Sequence, residues 1–162
     1  MAARVSQRPT ADREVVQERV FDAPRELVWE ALTDPKHVVH WWGPNGFTLT
    51  IEQMDVRPGG VWRFVMHGPD GQDYKNRIEF LEVVRPERMV FVHGGEDVDV
   101  AADFRTTVTL VERGGKTRLT MLALFPSAEA RERVVREHDA IEGGKQHLAR
   151  LAEYLTKMAR AQ

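Results

Sequence analysis

Cysteine is absent from the chain. Disulfides, thiolate nucleophiles and cysteine-built zinc or iron–sulfur sites are therefore excluded together, and any metal would have to rest on His, Asp and Glu. An excess of one sign of charge is missing too: 23 Lys and Arg against 25 Asp and Glu leave a formal net charge of -2. No broad basic face exists to hold phosphate backbones by counterion release, so nucleic acid is not an expected partner. No apolar run approaches the roughly 20 residues that cross a bilayer. Met1 to Ala11 is polar and basic, without the apolar centre of a signal peptide. The expected setting is the cytoplasm, without membrane insertion.

What is present suits one domain: 162 residues with 42% apolar composition can build one core. Residues 1–13 show no periodicity and read as a disordered tail, with a single domain over 14–162. Val15 to Phe21 alternate as a strand with one buried face. Asp22 is placed to cap a short helix with Pro24 in its first turn and Leu27, Val28, Ala31 and Leu32 along one side. Asp34 and Pro35 start a second, stopped by Gly43, Pro44 and Gly46. Phe47 to Phe125 then reads as six strands joined by turn chemistry at Arg57-Pro58-Gly59-Gly60, Gly68-Pro69-Asp70-Gly71, Pro86 and Gly114-Gly115, an antiparallel meander. Ser127 caps a helical stretch reaching about Ala159, with room for a break on the way. Its apolar side, Ile141, Leu148, Leu151, Leu155 and Met158, has to cover the sheet.

The words Phe21-Asp22-Ala23-Pro24, Trp41-Trp42-Gly43-Pro44, Arg57-Pro58-Gly59-Gly60, Gly68-Pro69-Asp70-Gly71 and Arg85-Pro86-Glu87-Arg88 occur in this order. Together they resemble the heat-shock protein 90 ATPase activator homologue-like family of the START-like, or SRPBCC, superfamily, over about Glu14 to Leu155. The resemblance implies an α+β helix-grip fold: a curved seven-stranded antiparallel sheet, two short helices, and a long C-terminal helix gripped around a deep cavity. Across the superfamily such cavities take lipids, hormones, polyketides and aromatic compounds. The family commonly has Gly-Trp early in the last helix, whereas here Gly143 is followed by Gly144 and Lys145. The missing indole leaves a gap, and two adjacent glycines weaken a helix by about 1 kcal/mol each. The glycine pair is expected either to bend the helix and widen the cavity or to make an ordinary kink filled by neighbours.

A curved sheet closing on one helix cannot bring all its inward side chains together, so long and aromatic residues there line a hollow. Strand parity nominates Trp62, Phe64, Met66, Phe80, Phe91, Met121 and Phe125, and the helix adds Ile141, Gly144, Leu148 and Leu151. For any one of them plain core packing is the better reading, and the ligand reading rests on the architecture. Of Trp41 and Trp42, at least one ring is structural and one is a candidate gate. Tyr74, His93 and His138 are the polar groups expected to face inward, where they would orient a ligand or move protons on an enolisable substrate. No catalytic trio, paired inward carboxylates or cofactor fingerprint accompanies them, so no cofactor is expected.

His37 and His40 lie three apart on a helix without a third metal ligand fixed by spacing, and read as surface residues. Glu96, Asp97, Asp99 and Asp103 lack the pattern of a calcium loop. Arg113-Gly114-Gly115-Lys116 opens no helix and reads as a hairpin turn, not a phosphate cradle. The leading expectation is a protein that binds a small hydrophobic or aromatic molecule as a monomer or homodimer. The second is an enzyme of cyclase, aromatase or hydrolase type. The third, a chaperone ATPase co-factor, comes with the family's name alone.

Overall fold

A computed structural model describes residues 11–95, 104–138 and 140–161. The acidic residues Glu96, Asp97, Asp99 and Asp103, and most of the expected tail, lie outside the described residues. The strands are β1 (Glu14–Phe21), β2 (Thr48–Met54), β3 (Val61–His67), β4 (Asp73–Val84), β5 (Arg88–Gly95), β6 (Phe104–Arg113) and β7 (Lys116–Leu124). The helices are α1 (Arg25–Thr33), α2 (Pro35–Val38), α3 (Ala128–His138) and α4 (Ala140–Ala161). All seven strands join one curved antiparallel sheet in the order β1-β7-β6-β5-β4-β3-β2. β2 to β7 are the expected meander. β1 joins beside β7 because the α1–α2 excursion carries the chain from one sheet edge to the other.

Several local readings need correction. Ala11–Arg13 is a short 3-10 turn and no part of a tail: Arg13 Nη1 donates to the Phe125 carbonyl (3.1 Å) and Phe125 N donates to Arg13 O (2.9 Å). Asp22 does not cap α1; the N-cap is Pro24, in extended conformation, and the free Arg25 N–H is met by Glu112 Oε1 at 2.7 Å from the end of β6. Asp34 does cap α2, accepting from Lys36 N at 3.0 Å, and Ser127 Oγ accepts from Ala130 N at 3.0 Å. The C-terminal helical stretch is described as Ala128–His138 and Ala140–Ala161, and α4 is continuous through Gly143 and Gly144. The glycine pair therefore does not break α4.

Two register shifts keep apolar side chains inside. In β4 the shift between Phe80 and Glu82 moves the inward set from Ile78 and Phe80 to Val83, so Leu81 is exposed and Glu82 escapes burial. In β2 the shift between Ile51 and Gln53 does the same for Met54.

The core is concentrated at one end of the sheet. Leu148, Leu151, Leu155 and Met158 of α4 meet Leu27, Val28 and Ala31 of α1, Val38 of α2, and the inward residues Trp62, Ile78, Phe80, Val108, Leu110 and Leu119. Thr117, fully buried, satisfies its hydroxyl on the Ala23 carbonyl at 2.7 Å. Towards the start of α4 this solid packing gives way to open space.

Candidate functional site

That space is a cavity of about 250 Å3, partly open to solvent, between β1, β5, β6 and β7 on one side and α3, α4 and the loop after α2 on the other. On the α4 side it is bordered by Gly143, Gly144 and His147. A Cβ on Gly144 would collide with the Gln17 side chain, whose Nε2 donates to Ile141 O at 2.8 Å; a Cβ on Gly143 would meet only Pro44 at 3.6 Å. Gly144 thus allows β1 and α4 to approach, and both glycines leave the cavity unfilled. Deeper in, a void of about 30 Å3 reaches Trp62, Phe80, Leu148 and their neighbours; Trp42, Phe91, Met121 and His147 border both spaces.

The structure sorts the residues nominated from sequence. Trp42, Met66, Phe91, His93, Met121, Phe125 and Gly144 line the main cavity, and Trp62, Phe80 and Leu148 border the inner void. Trp41, Phe64 and Leu151 do not line either space, being 1%, 1% and 0% exposed within the core. Trp41 is fixed there by its indole N–H, which donates to Ala31 O at 2.9 Å. Tyr74 has the inward parity but sits at the open end of β4, exposed, with its ring near Phe47 and its hydroxyl on Gln72 Oε1. Ile141 shares the helical face of Leu148 yet is exposed, because the packed part of the interface ends before the first turn of α4. The His138 side chain lies outside the described ones.

Reading the sequence missed Val15, Gln17, Gly43, Pro44, Phe104, Thr106, Ala123, Val134, Gly143 and His147 of the cavity lining. Some were legible. Thr106 alternates with Val108 on one strand, Ala123 with Met121 and Phe125, and His147 follows Gly144 by one helical step. Gly43 and Pro44 were not, since they line the cavity through a loop whose path is set by α4. His147 Nδ1 accepts from Gly43 N at 3.0 Å, Gln146 Oε1 accepts from Asn45 N at 3.1 Å, and Arg150 Nη1 donates to the carbonyls of Trp42, Gly43 and Pro44 at 3.2, 3.0 and 2.9 Å.

Among the described residues the lining is mostly apolar, interrupted by His93, His147, Thr106 and Gln17, with no Asp, Glu, Lys or Arg. His147 packs edgewise on Trp42 (centroids 4.6 Å) and against Trp41 (4.8 Å). His93 lies between Phe64 and Phe104 and bonds Asn76 Oδ1 at 2.9 Å. Burial, which penalises the charged form, pulls His93 from 6.5 to about 4. It pulls His147 to about 3, with the Arg150 charge and then His93 acting in the same direction. Both rings lie deep in protein yet keep accessible surface, because the cavity reaches them. Trp62 Nε1 is buried and has no hydrogen-bond partner among the described residues.

The other sequence candidates fall elsewhere. His37 bonds Tyr154 Oη (2.7 Å) and Glu30 Oε2 (3.0 Å), and His40 stacks on Tyr154 at 5.6 Å. Among the described residues no three His, Asp or Glu are grouped to hold a metal ion. Arg113 pairs with Lys116 across the β6–β7 hairpin, whose two glycines take positive φ. Among the described residues no helix is long and apolar enough to cross a membrane.

A curved antiparallel sheet gripping a C-terminal helix around an internal hollow defines a helix-grip, SRPBCC-type protein. Residues 22–156 match the family described as Activator of Hsp90 ATPase homolog 1-like protein, and the chain belongs to it. No curated protein matches the chain significantly. Its structure is similar to that of a protein from Arthrobacter aurescens, 26% identical with a TM-score of 0.84, over 93% of this chain and 90% of that one. It is likewise similar to a protein from Mycobacterium smegmatis, 28% identical with a TM-score of 0.81, over 94% and 96%. A third similar structure is DynU16, a protein in the dynemicin biosynthetic locus, 25% identical with a TM-score of 0.68, over 89% of this chain and 47% of that one.

Proposed function

We propose that this protein binds a small apolar or aromatic molecule in the cavity between the sheet and α4. The observation that carries the reading is a hollow of about 250 Å3, mostly apolar, at the end of an otherwise tightly packed interface. Interiors close-pack by default, so space maintained by two glycines opposite Met121, Phe91 and Phe125 calls for a reason. An engineered apolar cavity of about 150 Å3 takes benzene, so this one suits a frame of one or two rings. Apolar area removed from water would supply the affinity, at about 25 cal/mol per Å2.

Turnover of the ligand is the second reading, and His93 and His147 are the groups that would perform it. Held neutral to about pH 4 and about pH 3, they are weak proton acceptors, which favours binding over acid–base chemistry. The test is a thermal-shift screen of one- and two-ring aromatic compounds, in which a ligand at 100 times its Kd adds about 2.7 kcal/mol of stability. Ala123→Trp, which enlarges a residue already lining the cavity, should abolish every such shift. Compounds that stabilise the filled variant equally, or no stabilisation by any compound, would refute the proposal.

A further inference from the structure

The polar groups of the cavity wall restrict what the ligand can be, given the binding reading above. His147 uses Nδ1 as an acceptor for the Gly43 N–H. The imidazole is neutral, so its proton sits on Nε2, and that N–H has no hydrogen-bond partner among the described residues. His93 is arranged the other way round. Asn76 donates its NH2 to the Tyr74 carbonyl at 3.0 Å, which turns Asn76 Oδ1 towards His93 Nε2. His93 therefore carries its proton on Nε2 and donates it to Asn76, leaving the lone pair of Nδ1 without a donor among the described residues. Both residues border the same cavity, one with a free donor and the other with a free acceptor.

Among the described residues no charged side chain lines the same wall. The cation that acts on His147 is Arg150, and its Nη1 is committed to three loop carbonyls. A carboxylate or ammonium entering here would lose its hydration with no counter-charge to meet it.

We propose that the cavity selects uncharged one- or two-ring molecules bearing a hydroxyl, or an adjacent carbonyl and hydroxyl, that accepts from His147 Nε2–H and donates to His93 Nδ1. Thr106, buried on β6, supplies a further hydroxyl on the same wall.

The test uses the intact protein and four matched probes at neutral pH, by calorimetry: naphthalene, 2-methoxynaphthalene, 2-naphthol and 2-naphthoate. Naphthalene measures the apolar term alone, the ether adds an acceptor, and the naphthol adds both an acceptor and a donor. Each hydrogen bond gained should tighten binding by about threefold to tenfold, so the naphthol leads and the naphthoate is weakest. His147→Phe should erase the advantage of the ether over naphthalene, and His93→Leu that of the naphthol over the ether. A nitrogen NMR spectrum of histidine-labelled wild-type protein adds a readout that does not depend on the variants folding. Both rings should be Nε2–H tautomers, and adding 2-naphthol should shift His93 Nδ1 and His147 Nε2.

Equal affinity for the three neutral probes, tighter binding of the naphthoate, or an Nδ1–H tautomer at either histidine would overturn the assignment while leaving the binding reading intact. No binding by any probe would remove both.

Discussion

Lowering the pH from 7 to 5 charges histidines in the unfolded chain that the folded protein holds neutral. For His93 and His147 the ordinary value is 6.5 and the folded values are about 4 and about 3. Between 6.5 and about 4 the unfolded state binds two protons that the native state refuses, so stability falls as pH falls, and the loss levels off below the folded values. Each residue removes about 1.4 kcal/mol per pH unit well inside that window. Integrated from pH 7 to 5, the pair accounts for about 4 kcal/mol. Because the cavity admits solvent to both rings, about 2–4 kcal/mol is the expected loss, a large part of the roughly 5–15 kcal/mol that holds a domain folded. The assay is urea unfolding at pH 7, 6 and 5, followed by tryptophan fluorescence, on wild type and on the His93→Gln/His147→Gln double variant. The double variant should be less stable at pH 7 but lose markedly less on acidification. Parallel pH profiles for the two proteins would show that the rings are not kept neutral by burial, and the tautomer argument for the cavity would fall with that result.

Gly143→Ala should stabilise the protein by up to about 1 kcal/mol, since a methyl fits there at ordinary contact with Pro44, whereas Gly144→Ala should not. The second methyl displaces Gln17 and breaks its bond to Ile141, cancelling the helical gain, and thermal unfolding of the two variants side by side measures the difference. Arg150→Met removes the donor shared by three loop carbonyls and should cost about 2 kcal/mol, with faster hydrogen exchange at the Gly43 amide reporting the loosened cavity wall. Thr117→Val keeps the shape but strands the Ala23 carbonyl in the core, a loss of about 1–3 kcal/mol by urea unfolding.

Much of this architecture could be read along the chain because it is decided locally. Strand alternation, the Asp34 and Ser127 caps, the Gly68 to Gly71 turn and the glycine hairpin at Gly114-Gly115 are properties of a few adjacent residues. The readings that failed were those needing knowledge of what lies opposite. Asp22 is a good cap in isolation, but Glu112 reaches the helix start from another strand. Ile141 has the right helical phase, but nothing packs against its turn. Tyr74 has the right strand parity, but it lies at the start of β4, before the strand reaches the covered part of the sheet. His147 had the phase of Gly144 and Leu151, yet a lone histidine on an amphipathic helix gives no sign of whether it will meet solvent, core or cavity.

The amino-acid order by itself determined the element sequence, the antiparallel sheet and the amphipathic C-terminal helix, because backbone preferences and hydrophobic period act over neighbouring residues. Only the tertiary structure decided that α4 packs solidly against α1 and the sheet at one end and stands away from the sheet at the other. It also decided which nitrogen of each buried histidine remains free. Both depend on contacts between residues far apart in the chain: Gly43 with His147, Asn76 with His93, Gln17 with Ile141. A hollow belongs to the surfaces that fail to meet, and no single segment encodes it.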